Sequence, residues 1–107
     1  MSPELDDLLG TVHHFSDGVY AKQVHIPKGT CLASHAHVYS HLSILAIGDV
    51  EVSVGGNITR YLAPAVITIE RDTVHQVHAL TDSVWFCVHA TDVTNPDLVD
   101  DVLIKGN

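Results

Sequence analysis

Nine of the 107 residues are histidine, more than the five lysines and arginines together. Imidazole is the commonest metal ligand in proteins and the side chain that exchanges a proton near neutral pH. Three of these histidines, His35, His37 and His41, lie close together in the stretch Ser-His-Ala-His-Val-Tyr-Ser-His. Metal binding is therefore the chemistry that this sequence indicates first.

The spacing of the three histidines restricts the backbone that could bring them together. On a helix, His35 and His37 would point about 200° apart, whereas side chains two positions apart share one face of a strand. Along a straight strand His41 would lie about 13 Å from His37. If all three bind one ion, the chain must bend between Val38 and Ser40.

A fourth ligand should come from a distant strand, and His75 is the candidate because it follows the polar turn Glu70-Arg71-Asp72-Thr73. His78 has the opposite strand parity, so both histidines cannot easily face one interior. His89 shares parity with Trp85 and Cys87 and could line that interior, although its preferred interpretation is a hydrogen-bonded core residue. The histidines interpreted as surface or hydrogen-bonded residues, and not as ligands, are His13, His14, His25, His78 and His89.

The elements that must position these residues are mostly strands. Short runs rich in β-branched and aromatic residues are separated by turn residues such as Gly55-Gly56-Asn57, a pattern typical of an antiparallel sandwich or small barrel. Cap and proline signals predict a short helix at each end, over about 3–9 and 96–104, around a barrel at about 12–91 in a single domain, 1–107. The predicted strands include Val19 to Ile26, Leu42 to Ile47, Val50 to Val54, Ala65 to Ile69 and Val84 to Val88.

Charge and hydropathy exclude several classes of protein. The formal charge of -8 opposes binding to nucleic acid or to an anionic membrane surface. No apolar stretch approaches the roughly 18 residues of a spanning helix, and the first residues lack a signal core, so we expect a soluble cytoplasmic protein. Cys31 and Cys87 are too few for a disulfide scaffold and are interpreted as free thiols.

The histidine cluster resembles the first conserved motif of the cupins, which are small β-barrels. Gly29, His35, His37, His41 and Gly48 match the spacing Gly-x5-His-x-His-x3-Glu-x6-Gly, with His41 in place of the glutamate. The resemblance covers about residues 20 to 90. It implies a cupin-like antiparallel β-barrel, also called a jelly roll or double-stranded β-helix.

The second cupin motif, Gly-x5-Pro-x-Gly-x2-His-x3-Asn, keeps only its histidine when that histidine is aligned on His75. The other motif positions are then occupied by Pro64, Glu70, Asp72 and Ala79. Carried over residue by residue, the resemblance implies a metal site made of His35, His37, His41 and His75. Four-histidine sites are a minority variant among small single-barrel cupins.

Four neutral imidazoles would leave a divalent ion with its full charge, which favours anionic ligands. Such a set suits Fe, Ni, Zn or Cu, with Mn also possible. If the ion is six-coordinate, two open positions would permit a non-haem dioxygenase-type reaction on a small enolisable or anionic organic molecule, with Glu70 or Asp72 orienting an imidazole.

Other functions fit the same residues. A cupin-type isomerase or lyase would bind similar substrates without oxygen, a non-catalytic module would bind a metabolite or sugar, and a closed tetrahedral ion would be structural. The apolar stripes of the predicted helices need a surface to cover, and we expect a homodimer.

Overall fold

The computed structural model describes residues 10–33 and 40–90. The two predicted terminal helices, together with His35 and His37, lie outside these described residues. Every regular element within them is a strand. The strands are β1 (Val12–Ser16), β2 (Val19–Ile26), β3 (Cys31–Ala33), β4 (His41–Ile47), β5 (Asp49–Val54), β6 (Asn57–Leu62), β7 (Ala65–Ile69), β8 (His75–Ala79) and β9 (Ser83–Ala90).

The strands form two antiparallel sheets. One has the order β1-β2-β9-β4-β7 and the other the order β3-β8-β5-β6. Apart from the pairs β1-β2 and β5-β6, strands that follow one another in sequence belong to different sheets, so the chain passes repeatedly between the two layers. The predicted fold class, an all-β antiparallel jelly roll, is confirmed.

The core lies between the sheets and follows the two-residue period of the strands. On β4, His41, Ser43 and Leu45 are buried, and on β8 the buried residues are likewise alternate ones, beginning with His75. Trp85 of β9 pairs with Leu45 of β4 in the middle of this layer. The buried apolar cluster consists of Val24, Ile26, Leu45, Val50, Val52, Ile67, Ile69, Val77, Ala79 and Trp85.

Two glycine-containing turns join successive strands, one within a sheet and one between the sheets. Gly55 and Gly56 have positive φ angles of 56° and 87° and form a two-residue hairpin loop between β5 and β6. Gly48 alone separates β4 from β5, with a φ of 111°, and its carbonyl accepts a hydrogen bond from Ala63 N at 3.0 Å. The change of sheet between β4 and β5 thus takes place over a single residue.

The strand bounds agree closely with the predicted ones. β2 and β7 have the predicted ends, β4 and β5 each begin one residue earlier, and β9 is longer at both ends. The strands β1, β3, β6 and β8 are not among the predicted runs. Of these, β6 is mostly exposed and lies at a sheet edge. In the described ranges, no helix is long and apolar enough to cross a membrane.

Candidate functional site

Buried polar rings gather at one end of the sandwich, where β4 and β8 begin and β9 ends. We call it the histidine end and define it by Tyr20, His41, His75 and His89. Their exposed fractions are only 1%, 6%, 4% and 6%. Polar rings so thoroughly removed from water need specific partners, and such residues are commonly functional.

Two of the four predicted ligands are described, and both face the interior of this end. His41 is the first residue of β4, in the five-stranded sheet, and His75 is the first residue of β8, in the opposite sheet. His78 points outward, as its strand parity requires, and is exposed. The structure therefore presents one imidazole from each sheet at the same end.

The chain segments that lead into His41 and His75 are tied together by hydrogen bonds. Ser40 Oγ donates to a Glu70 carboxylate oxygen at 3.2 Å and accepts from Arg71 N at 3.1 Å. Within the turn before β8, Thr73 Oγ1 donates to the Arg71 carbonyl at 3.0 Å. The residue before His41 is thus joined to the turn that precedes His75. Glu70 contacts Ser40 here, whereas its expected role is to orient an imidazole.

The turn before His75 contains an unusual backbone conformation at Asp72, whose φ is +60°. This left-handed region is costly for most residues, but aspartate tolerates it better than β-branched or bulky ones. Asp72 occupies the position at which the second cupin motif has glycine. The turn therefore keeps the glycine-type conformation without the glycine.

A continuous row of rings crosses the inner face of the five-stranded sheet. Leu42 pairs with Val88, which puts His41 beside His89, and their ring centroids are 4.4 Å apart. His89 pairs in turn with Tyr20, whose ring is stacked on it at 6.1 Å. Strand parity predicts that His89 faces inward, and the structure confirms it. Its contact with His41 follows from the pairing of β9 with β4.

Two residues further along β4 and β9 from these rings, toward the middle of the sheet, lie the Ser43 hydroxyl and the Cys87 thiol. Ser43 Oγ lies 3.4 Å from His41 Nε2 and 3.9 Å from Cys87 Sγ. Burial raises the pKa of the Cys87 thiol, and the smaller opposing effects of Ser43, Trp85 and the Lys22 charge do not offset it. Cys87 is therefore a protonated thiol at neutral pH, which argues against a nucleophilic role.

A cavity of about 240 Å³ adjoins the histidine end, between β6 of one sheet and β7 of the other. Two residues of its wall are direct strand neighbours of the predicted ligands: Ile69 pairs with His41, and Val54 pairs with His75. The remaining lining residues are Val52, Asn57, Thr59, Tyr61, Ile67, Thr68, Glu70 and Thr73. The cavity opens at the side where both sheets end in an edge strand.

The histidines that were not predicted as ligands have other partners. His13 Nδ1 is 2.6 Å from the Tyr20 hydroxyl, His14 Nε2 is 2.9 Å from Gln23 Oε1, and His25 Nε2 is 3.2 Å from Gln23 Nε2. These three lie on β1 and β2. His78 Nδ1 is 3.8 Å from a Glu51 carboxylate oxygen on the neighbouring strand.

The described residues contain only part of the predicted donor set. Among residues 10–33 and 40–90, no three His, Cys, Asp or Glu side chains are grouped so that they could hold an ion. The two missing donors, His35 and His37, fall between Ala33 and Ser40, which are described. Ala33 pairs with Gln76, next to His75, and Ser40 precedes His41, so both flanks of the histidine cluster are at the histidine end.

No family model matches the chain, and no curated protein matches it. Solved structures do match. A cupin superfamily protein from Desulfitobacterium hafniense is 11% identical with a TM-score of 0.67, over 77% of this chain and 76% of that one. KdgF from a Halomonas species is 17% identical with a TM-score of 0.65, over 80% of each chain.

A larger protein shares the same fold over part of its length. Salicylate 1,2-dioxygenase from Pseudaminobacter salicylatoxidans is 15% identical with a TM-score of 0.68, and the match covers 75% of this chain but 25% of that enzyme. Identities this low show a common fold and do not carry an activity with them.

Proposed function

Because the described part of the chain has the cupin fold, we propose that it binds a divalent metal ion through His35, His37, His41 and His75. We further propose that it is a non-haem dioxygenase-type enzyme acting on a small enolisable or anionic organic molecule. The observation that carries the proposal is the burial of His41 and His75 at one end of the sandwich, facing inward from opposite sheets.

The chemistry of the donor set fits a transition metal. Imidazole nitrogen suits Fe, Ni, Zn and Cu, whereas Mg and Ca prefer oxygen. The inward side chains that surround His41 are a hydroxyl, a thiol and aromatic rings, and the inner positions of β5 carry valine. In the described strands, the carboxylate of Glu51 points away from this interior toward His78.

An ion held by neutral imidazoles would supply positive charge for an anionic or enolised substrate and a path for electrons to dioxygen. The chain itself would contribute three things. The apolar cavity walls at Val54 and Ile69 would exclude water beside the ligands, and the Ser40 hydrogen bonds would fix the approach to His41. His89 would hold the His41 ring by direct contact.

The metal part of the proposal is tested by elemental analysis of protein purified without added metal. We expect about one ion per chain in the unmodified protein and loss of most of it in His37→Ala and His75→Ala, because each removes a ligand. His14→Ala is the control, since His14 is exposed on β1 and contacts Gln23. Equal metal content in all four proteins would show the assignment to be wrong.

The reaction class is tested with the metal-loaded protein and a panel of small enolisable acids. Dioxygen consumption that matches substrate loss would support the dioxygenase-type reaction. Substrate loss that continues without oxygen would instead assign an isomerase or lyase, and binding without turnover would assign a binding module.

A further inference from the structure

We propose that two copies of this chain associate through the outward side of the five-stranded sheet. The outward side is formed by the side chains of β1, β2, β9, β4 and β7 that point away from the core. It is the side of the sheet opposite to His41, so this inference does not depend on the proposed metal site.

Strand alternation identifies the side chains that point outward. On β4 the buried residues begin with His41 and alternate, so Leu42 and Ile44 lie on the other side of the sheet. The same alternation holds on β7 and β9, where Ile67 and Trp85 are buried. The apolar outward side chains of these three strands, which we call the outer patch, are Leu42, Ile44, Val66, Val84, Phe86 and Val88.

The register of the strands makes the outer patch continuous. Val66 pairs with Ile44, and Ile44 pairs with Phe86, so these three side chains stand side by side on β7, β4 and β9. Two residues further along, Leu42 pairs with Val88. The exposed fractions of Leu42 and Val66 are 47% and 66%. Monomeric soluble proteins rarely expose a large continuous apolar patch of this kind.

The outward side of this sheet carries no formal charge. None of its positions on the five described strands holds aspartate, glutamate, lysine or arginine, although the chain has a net charge of -8. Its polar residues include His14 and His25, which both contact Gln23. The outward side of the other sheet is different, because it holds Glu51 and Arg60 on paired strands. The uncharged apolar surface is therefore specific to one sheet.

A second copy is the occupant that fits such a surface. In a symmetric dimer the same patch is present on both subunits, so apolar side chains meet apolar side chains and neither subunit buries an unpaired charge. A nucleic acid or a charged peptide would have no ion-pair partner there. The terminal segments 1–9 and 91–107 fit less well, because they hold three and four of the 13 acidic residues and the surface has no cation to pair with them.

The sheet is large enough for a specific dimer. Five strands at a spacing of about 4.8 Å form a sheet about 24 Å wide. Strands of five to eight residues are about 16–26 Å long, so the flat area is about 500 Å² per subunit, before the relief of the side chains is counted. Two such surfaces reach the total of about 1,000 Å² that a specific interface requires.

The test measures the mass of the whole chain in solution by sedimentation velocity. We expect the unmodified protein to have twice the chain mass of 11.6 kDa at micromolar concentration. Val66→Glu and Leu42→Glu each place a carboxylate in the outer patch, where the dimer would bury it without a partner. Each should raise the dissociation constant at least about hundredfold and give a monomer at the same concentration.

Ile58→Glu is the matched control. Ile58 is 65% exposed, close to the 66% of Val66, and lies on an edge strand of the other sheet. It adds the same charge to the chain and should leave the dimer intact. Circular dichroism checks that every variant is folded. As a second measurement, the unfolding temperature of the unmodified protein should rise with protein concentration, and that of Val66→Glu should not.

Three outcomes would contradict the proposal. A dimer that persists in both Val66→Glu and Leu42→Glu would mean that the subunits associate through another surface. Loss of the dimer in Ile58→Glu as well would assign the effect to the added charge and not to its position. A monomeric unmodified protein would exclude a second copy, and a larger loss of stability in Val66→Glu than in Ile58→Glu would then mean that a segment of the same chain covers the outer patch.

Discussion

The imidazole rings of His41 and His89 pack directly against each other, with centroids 4.4 Å apart and planes tilted by 33°. The two residues are side by side on adjacent strands, and both are buried. A ring that contacts a metal ligand restricts the orientations which that ligand can adopt. In the proposed metal site, His89 would therefore be a positioning residue for His41.

Replacing His89 by alanine should weaken metal binding by about tenfold or more, because residues that orient a ligand commonly contribute that much. Competition with a chelator of known affinity measures the effect, and His89→Gln, which keeps a planar polar group, should restore part of it. His25→Ala on the outer face of β2 is the control. Unchanged affinity in His89→Ala would contradict the assigned role.

The two cysteines should differ sharply in reactivity toward a thiol reagent. Cys31 is exposed on β3, whereas burial raises the pKa of Cys87 and keeps it protonated. We expect one thiol to react quickly in the folded protein and the second, which is half-buried, much more slowly until the protein unfolds. In Cys31→Ser the fast reaction should disappear, and a fast reaction that persists there would show Cys87 to be accessible.

The single-residue link at Gly48 should tolerate no side chain. A Cβ atom there would collide with the Ser83 side chain and would lie 2.8 Å from the Ser83 Cα, at a φ of 111°. Gly48→Ala should lower the free energy of unfolding by about 2–5 kcal/mol, from backbone strain and overpacking together. Urea unfolding measures the loss.

The control for Gly48 is Gly55→Ala, because a Cβ at Gly55 would have no atom within 4 Å. That substitution adds only the left-handed backbone cost of about 1–2 kcal/mol. If Gly48→Ala and Gly55→Ala lower the free energy of unfolding equally, the contact with Ser83 does not contribute to the effect at Gly48.

The ion pair between Asp49 and Arg60 should make stability depend on pH in the acidic range. Hydrogen bonds from Arg60 hold the pKa of the Asp49 carboxyl below its usual value. The stabilisation is therefore present above the ordinary pKa of aspartate and is lost as the pH falls through the lowered one. Asp49→Asn should be less stable than the unmodified protein at pH 7, with the difference shrinking toward about pH 3.

Urea unfolding at several pH values measures that difference. Asp17→Asn, in the exposed turn between β1 and β2, is the control and should show no comparable change. If the two proteins differ by the same free energy of unfolding at every pH, the effect of Asp49→Asn comes from packing and not from charge.

The sequence predicts the fold well where one physical rule dominates. Gly55-Gly56 specifies a tight hairpin by its backbone freedom, and the runs of β-branched residues identify β2 and β7 with their observed ends. β6 is not predicted in this way. Both of its faces are largely exposed, so polar and apolar residues do not alternate clearly along it. Its position follows from pairing with β5, which is a long-range property.

In the candidate site, too, contacts that depend on long-range strand pairing cannot be predicted from the sequence. Parity alone indicates that His89 faces inward, but the partner that it meets depends on which strands flank β9 and in what register. The contact with His41 exists because β9 lies between β2 and β4. Residue spacing identifies candidate site residues, and the register between paired strands determines which of their side chains are in contact.

The hydrogen bonds from Ser40 to Glu70 and Arg71 distinguish substitutions that lower stability from substitutions that would affect the proposed metal site. Because these bonds join the residue before His41 to the turn before His75, the starts of β4 and β8 are linked at this end of the sandwich, outside the buried cluster around Trp85. Substitutions around Trp85 should then lower the free energy of unfolding, while the folded protein should keep the affinity of the proposed metal site.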